Sequence, residues 1–431
     1  MGLQRLVLFG RHEALGWTLR RAAPLLAILA YVWRRALPRT TFIAVTGSLG
    51  KTTAKECLAA ALESVAPTVR SRGNQNNGAL LWRNLLRVRP WHRFAVLEIG
   101  VDRPGTMAAA AAIIRPSVVV VLNVSRTHCD HFRDLEEHAA EKEVLLRALP
   151  PDGIAVVNDD DGRVASMATR ARCRVVRFGS SASADVRVEG AEARWPDRLA
   201  LAVVTAAGER AEVRTRLVGE HWLGSVAGAL ATAWALGVPP ATAAVALQGV
   251  EPVAGRLRPV RVPSGAVILR DDYNGSVDTA LAAFEVLRTA RAERRVLVLT
   301  DISDLEGHVP HRRRLVADAA ARAADALVLV GEFADFGRRR AISAGMKAEA
   351  AHAFASLEEA ASFLASELRE GDVVLLKGRT TDHAGRLALA QLGPIGCWVS
   401  HCTPRRWCDS CWRLGLSEEQ LGRATVVPPG R

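Results

Sequence analysis

Aromatic residues are scarce in this chain, making up 5% of its 431 positions, and no nucleic-acid recognition module is visible. Base stacking needs aromatic platforms, so the net charge of +12 is not read as a nucleic-acid signal. Long apolar runs are missing too. The most apolar stretch, residues 22–33 (AAPLLAILAYVW), is interrupted by Pro24 and is too short to span a bilayer. A secretory leader is not expected, and no internal repeat or low-complexity tract is visible. Cysteines number seven, and Cys57, Cys129 and Cys173 are isolated along the chain, as packing residues are.

What the chain does have is ample core-forming material, 49% hydrophobic against 24% charged. At this length two or three domains are expected. The charge excess is uneven. Residues 1–40 hold seven arginines (Arg5, Arg11, Arg20, Arg21, Arg34, Arg35 and Arg39) against Glu13 alone, a net +6 and half of the total. Arginines flank the apolar stretch, with Trp17, Tyr31 and Trp33 nearby. That pattern suits a helix lying in a membrane interface, and equally a helix packed on the protein's own core or on a partner.

Beyond residue 40, apolar runs of strand length alternate with helical patterns. Strands are expected at Phe42–Thr46, Phe94–Ile99, Val118–Asn123, Ile154–Asn158, Val296–Thr300, Ala326–Val330 and Val373–Leu376. Helices are expected at 52–64, 135–148, 221–236, 311–324 and 356–369. Continuous apolar strands between helices argue for mostly parallel sheets covered on both faces. A break at Val238-Pro239-Pro240 and Glu251-Pro252-Val253-Ala254-Gly255 precedes a second such series. The division expected is a basic, apolar helical extension at 1–40, a central P-loop ATPase domain at 41–250, a Rossmann-like C-terminal α/β domain at 251–395 and a cysteine-rich tail at 396–431. Residues 181–216 are expected to form a β-rich insertion.

The strand Phe42–Thr46 runs into Thr46-Gly47-Ser48-Leu49-Gly50-Lys51-Thr52-Thr53 at the start of a helix. Glycines let backbone N–H groups approach phosphate oxygens, and a helix N-terminus favours negative charge. Lys51 adds a cation, and the Thr52 hydroxyl is placed for Mg²⁺. The full G-x-x-x-x-G-K-[ST] pattern is not met, because Val45 stands where its first glycine belongs. An ordinary strand-to-helix turn is the plainer reading of the loop alone.

Polar clusters at the ends of other expected strands weigh against that reading, since α/β proteins bind ligands there. They are Glu98, Asn123, His128-Cys129-Asp130-His131 with Lys142 beyond, Asn158-Asp159-Asp160-Asp161, Asp272-Tyr273-Asn274, Asp301 with Asp304 and His311, and Lys377-Gly378-Arg379. With these residues in view the chain resembles the Mur ligase family, most closely its MurF branch. The strings that carry the resemblance are TGSLGKTTAKE (46–56), GNQNNG (73–78), LEIG (97–100), His128 to Lys142, GIAVVNDDD (153–161), GRLRPV (255–260), DDYNGSVDT (271–279) and VLLKG (374–378). They follow the family order over roughly residues 41–390.

The resemblance implies an ATP- and Mg²⁺-dependent ligase that joins a carboxylate to an amine through an acyl phosphate. It implies that Gly47, Ser48, Gly50, Lys51, Thr52 and Thr53 hold the phosphates, and that Thr52 and Glu98 hold a first Mg²⁺. His128 matches a histidine contributing to a second Mg²⁺, and Lys142 matches a lysine carried as a carbamate, an anionic metal ligand. Asn158 and Asp160 match a segment near the nucleotide. Arg256 matches an arginine facing the ATP phosphates from between the domains, and Asp272, Tyr273 and Asn274 match the motif on the nucleotide side of the C-terminal domain. Lys377 matches a lysine beside the incoming substrate. Partners are therefore small-molecule or peptide carboxylates and amines, in the cytoplasm or on the inner face of a membrane.

Departures from the family pattern bear on the substrate. The G-x-H-N-x-x-N helix start reads Gly219-Glu220-His221-Trp222-Leu223-Gly224-Ser225, so both asparagines near the adenine are replaced and Trp222 is left as the candidate to stack on the base. The KGS-R string reads Lys377-Gly378-Arg379-Thr380. Only residues 1–45 precede the loop, where MurF enzymes carry a domain for the UDP-sugar, so the standard peptidoglycan precursor is not assumed. A short apolar lead into a Mur-type ATPase is also the layout of poly-γ-glutamate synthases and of the Mur-like subunit that amidates lipid II. A polymer-forming ligase, a degenerate Mur-fold scaffold and a P-loop kinase of a small acceptor are the rival readings.

Four cysteines fall in the tail, at Cys397, Cys402, Cys408 and Cys411. Cys408-x-x-Cys411 has metal-knuckle spacing, and Cys397 with Cys402 or His401 would complete a tetrahedral Zn²⁺ site. Free or redox thiols are the alternative, and disulfides fit poorly with a cytoplasmic ATP-using enzyme.

Overall fold

The computed structural model describes residues 22–101, 103–125, 132–303, 309–399, 407–411 and 413–415. Its contacts divide the chain into two compact units. The first takes the described residues up to Glu192, with Leu199–Thr215 and His221–Val250. The second takes Ala193–Arg198, Arg216–Glu220 and the described residues from Glu251 onward.

The first unit is built on a nine-stranded sheet. Its first six strands are β1 (Thr41–Thr46), β2 (Thr68–Arg70), β3 (Phe94–Glu98), β4 (Val118–Val121), β5 (Ile154–Asn158) and β6 (Arg174–Gly179). β7 (Val186–Glu192), β8 (Ala200–Thr205) and β9 (Arg210–Arg214) complete it, in the spatial order β2-β3-β1-β4-β5-β6-β7-β8-β9. Pairing is parallel from β2 through β7 and antiparallel at β7–β8 and β8–β9. The β-rich stretch near 181–216 is thus no separate insertion; its strands extend this sheet. Strands β1, β3 and β4 are buried along nearly their whole length, as an apolar run without alternation requires.

β1 sits between β3 and β4, although β3 and β4 are successive strands. Chain direction therefore diverges on the two sides of β1, and a crevice opens beyond its carboxyl end. Helix α1 (Ala23–Arg35) packs Ala30, Leu26, Ala27 and Trp33 into this unit's apolar cluster, so it is part of the unit and no detached extension. The remaining helices are α2 (Lys51–Glu63), α3 (Gly78–Leu85), α4 (Thr106–Ile114), α5 (Leu135–Arg147), α6 (Gly162–Ala168), α7 (Leu223–Ala235) and α8 (Pro240–Leu247).

The second unit holds a six-stranded sheet of β10 (Arg258–Arg261), β11 (Val267–Asp271), β12 (Arg294–Leu299), β13 (Ala326–Val330), β14 (Ala351–Phe354) and β15 (Asp372–Lys377). The order is β10-β11-β15-β12-β13-β14, parallel except for β10 against β11. Last in sequence but central in space, β15 brings Lys377 beside Asp271 at the carboxyl ends of the strands. Its helices are α9 (Val277–Thr289), α10 (Val309–Ala323), α11 (Ala334–Ser343), α12 (Leu357–Glu367) and α13 (Gly385–Ala390). The described tail residues 407–411 also pack with this unit, since Cys408 joins one of its core clusters.

Gly228 lets α7 approach the sheet beneath the crevice. A Cβ there would lie 3.0 Å from both Leu122 Cδ2 and Phe178 Cζ. Gly228→Val should therefore cost about 1–3 kcal/mol by overpacking, with partial recovery on adding Phe178→Leu. Urea unfolding of the two variants measures this, and wild-type stability in Gly228→Val would contradict the close approach.

Candidate active site

The glycine loop leaves β1 and enters α2 through Gly50, which caps the helix at φ 80°. Only glycine takes that left-handed conformation cheaply, and an added Cβ would collide with Ser225 Oγ. Lys51 stands at the helix start, its ammonium held over the loop by the carbonyl oxygens of Gly47 (2.7 Å) and Ser48 (3.0 Å). The Thr52 and Thr53 side chains are buried behind it. The loop's shape is fixed from β4: the Asn123 Oδ1 accepts from the backbone N–H groups of Ser48 (3.0 Å) and Leu49 (2.8 Å), and its Nδ2 donates to Leu49 O (3.1 Å). Ser225 Oγ on α7 donates to Gly50 O at 3.1 Å, so a position of the altered helix-start motif supports the loop.

Glu98 closes β3 in register with Val45 of β1, immediately before the loop. It is 1% exposed. Its Oε1 accepts from Asn76 Nδ2 at 2.7 Å, and its Oε2 is buried with no hydrogen-bond partner. The Lys55 ammonium lies 4.0 Å from that oxygen. Lys55 itself is fully buried and bound by Ser71 O (2.9 Å), Gly73 O (2.5 Å) and the Glu56 carboxylate (2.9 Å). A buried carboxylate oxygen without a donor is costly unless something else meets it. A hard divalent cation, which takes carboxylate and hydroxyl oxygens, fits that need at Glu98 and Thr52.

Lys142 lies on α5, 1% exposed, with its amine 2.7 Å from His138 Nε2 one turn earlier. The His138 ring stacks on Phe132 at 4.8 Å. His128 lies outside the described residues. Asn158 ends β5 with Nδ2 donating to Leu122 O (2.8 Å) and Oδ1 accepting from Asp160 N (3.1 Å). Asp160 in turn accepts from the N–H and hydroxyl of Ser180 at 2.8–3.0 Å. Trp222 departs from expectation. It is 5% exposed, with its ring tilted against His221 at 4.4 Å, so it is part of the interior and not a platform for a base.

In the second unit the motif residues assemble around Lys377. Its ammonium donates to Asp271 Oδ2 and to Asn274 O, both at 2.6 Å. Burial pushes the Lys377 pKa down, and the Asp271 carboxylate works against that shift. Asp272 is gripped by Arg270 (2.8 and 3.2 Å), and Arg270 also binds Asp409 of the tail at 3.0 Å. Burial opposes ionisation of Asp409, but hydrogen bonding and charge from Arg270 prevail and hold its carboxyl below the usual range. The Tyr273 ring carries the Arg256 guanidinium at 4.8 Å and stacks with Trp407 at 5.5 Å. Arg256, Asp272, Tyr273, Asn274 and Lys377 are thus brought together, whereas the participation of Trp407 and Asp409 had no signal in the sequence. Lys55, Asn76 and His138 were also missed, although each stood inside a quoted string.

The zinc reading falls partly outside the described residues, since His401 lies beyond them. Among the described residues no group of three or more His, Cys, Asp or Glu is arranged to hold a metal, and Cys402 lies outside them. Cys408 Sγ instead accepts from Arg386 Nε at 3.3 Å and sits 3.5 Å from His383 Nδ1. Burial raises the Cys408 thiol pKa.

A glycine loop and helix N-terminus at a sheet crevice, flanked by a buried acid on the neighbouring strand, define a P-loop nucleotide-binding enzyme of the α/β class. Models of the Mur ligase middle domain and of the Mur ligase glutamate ligase domain match residues 45–233 and 255–380. The UDP-N-acetylmuramoyl-tripeptide–D-alanyl-D-alanine ligase of Mycobacterium tuberculosis is 30% identical over 379 residues, covering 83% of this chain and 74% of the relative. A crystal structure of MurF from Acinetobacter baumannii is 28% identical and superposes with a TM-score of 0.77, covering 84% of this chain and 79% of that one. The fold is also that of the Thermotoga maritima MurF ligase solved in complex with ADP, at 22% identity and a TM-score of 0.74 over 86% and 83% of the two chains. The chain belongs to the Mur ligase family as a MurF-like member, an ATP-dependent ligase.

Because Lys377 neutralises Asp271 in a buried pair, Lys377→Met should destabilise the second unit by about 3–5 kcal/mol. Adding Asp271→Leu should recover much of that loss, as read from the unit's denaturation midpoint. Unchanged stability in the single variant would contradict the anchoring.

Proposed function

We propose that this protein joins a peptidyl carboxylate to the amine of a small peptide, as the relatives' names describe for a UDP-muramoyl tripeptide and D-alanyl-D-alanine, in peptidoglycan synthesis. In this reading the carboxylate oxygen attacks the γ-phosphorus of ATP and ADP leaves. The amine then attacks the acyl carbon, the C–O bond to phosphate breaks, and the amine's proton is lost to give amide and inorganic phosphate. Both steps gather negative charge at the loop, where fixed cations and oriented N–H groups contribute most.

The observation that carries the reading is the register of β3 on β1. It sets Glu98, with a buried oxygen lacking a donor, beside the strand that feeds the phosphate loop. Lys51 and the loop N–H groups would bind the β- and γ-phosphates, with Thr52 and Glu98 as oxygen ligands for Mg²⁺. When bound, Mg²⁺ would neutralise phosphate charge. Lys142 would react with carbon dioxide, losing a proton, to form a carbamate and supply a further anionic oxygen. His138, 2.7 Å from that amine, orients it. In the second unit the anchored Asp272, Tyr273 and Asn274 would form the nucleotide-facing edge, and Lys377 would stand beside the incoming substrate.

Two variants test this. Lys51→Ala should lower ADP release by at least about a hundredfold, measured with Mg-ATP, a UDP-muramoyl tripeptide and D-alanyl-D-alanine; unchanged turnover would refute the phosphate assignment. Lys142→Ala should lose ligation and regain part of it when short carboxylates are added, whereas full activity without them would refute the carbamate. Products are followed by mass, and turnover only with other acceptors would place the chain in a different pathway.

A further inference from the structure

Helix α1 is docked on one side and bare on the other. Ala30 is fully buried, with Leu26, Ala27 and Trp33 packed beside it. On the outer side Leu25, Ile28 and Val32 are 59–61% exposed and Leu29 is 47% exposed. Their spacing of three and four residues makes one continuous apolar ridge. Since the opposite side is held in the core, the ridge is presented rigidly.

Beside the carboxyl end of this helix lies the turn that carries Trp91. Trp33 Nε1 donates to Val88 O at 2.9 Å, Thr40 Oγ1 to His92 O at 2.8 Å, and an Arg93 guanidinium nitrogen to Arg39 O at 3.1 Å. Trp91, at the tip, is 68% exposed.

Among the described residues, Arg34, Arg35, Arg87, Arg89 and Arg93 hydrogen-bond backbone carbonyls and the Asn84 amide oxygen and make no ion pair with a carboxylate. The repulsion is felt. Burial and the neighbouring Arg115 and Arg35 press the Arg34 pKa down to about 10. Burial with Arg72, Arg83 and Arg89 lowers that of Arg87, and burial with Arg89 and Arg87 lowers that of His92.

We propose that this face of the first unit, the ridge Leu25, Ile28, Leu29 and Val32 with Trp91 and its arginine surround, seats on an anionic phospholipid surface. Apolar side chains enter the headgroup boundary, an indole sits at its level, and guanidinium groups meet lipid phosphates. The helix lies on the surface and does not cross it: its 13 residues reach about 20 Å, against about 30 Å of hydrocarbon. Among the described residues no helix is long and apolar enough to span a membrane. A second copy is the poorer occupant, because an isologous contact would set the arginines against themselves. Residues 1–21 lie outside the described residues and carry four arginines against Glu13. The proposal does not depend on which carboxylate and amine the enzyme joins.

Sedimentation of the full chain with vesicles tests it. Binding is expected to phosphatidylcholine vesicles containing phosphatidylglycerol, to weaken with added salt, and to be at least about tenfold weaker without the anionic lipid. Ile28→Asp with Val32→Asp should lower binding about tenfold or more while keeping the wild-type melting profile. Trp91→Ser, which leaves the helix untouched, should lower it several-fold. No binding by the wild type, equal binding to neutral vesicles, or undiminished binding by both variants would overturn the proposal. So would a wild-type dimer that Ile28→Asp dissociates without vesicle binding, or vesicle binding that appears only after residues 1–21 are deleted.

Discussion

Parallel pairing of β1 on both of its edges is the constraint on which the nucleotide site depends. β3 on one side brings Glu98 level with Val45, and β4 on the other leads into Asn123, whose amide holds the loop backbone at Ser48 and Leu49. Neither contact is local, since Asn123 and Ser48 are 75 residues apart. A glycine loop is adaptable in isolation. Here its N–H groups are oriented by ties from β4 and, through Ser225, from α7. Such preorganisation is what lets dipoles and fixed cations act on developing charge without first reorganising.

The second unit repeats the logic with different chemistry. β15 enters between β11 and β12, so a lysine late in the chain neutralises an aspartate 106 residues earlier. That pair anchors the turn holding Asp272, Tyr273 and Asn274, and Arg270 continues the chain of charges outward to Asp409. The described tail residues thereby brace the motif, with Trp407 stacked on Tyr273. Replacing the family's serine and shifting its arginine are accommodated locally, since Arg379 pairs with Asp382 and Asp382 with Thr300.

Polar groups buried in the first unit separate into two kinds. Lys55 is fully satisfied by two carbonyls and a carboxylate and is part of the frame. Glu98 keeps one oxygen with no hydrogen-bond donor among the described residues, and that is the oxygen the proposed Mg²⁺ site would use. In sequence Glu98 stands out by its place at a strand end, whereas nothing in the sequence marks Lys55 as part of the frame.

The expected strands Ile154–Asn158 and Ala326–Val330 match the observed elements residue for residue, and the other expected strands and helices fall within a few residues of theirs. They were readable because a buried parallel strand is a continuous apolar run, a property of consecutive residues. The glycine loop was legible for the same reason, since it joins β1 to the helix that directly follows it. Short or amphipathic pieces such as β2, β14 and α6 escaped, lacking a run long enough to show a period. Tertiary structure alone decided that residues 200–214 extend the main sheet, that Trp222 is interior, that Cys408 faces Arg386, and which side of α1 is covered. Each of these depends on pairing register or packing between segments far apart in the chain, where composition and spacing carry no information about the partner.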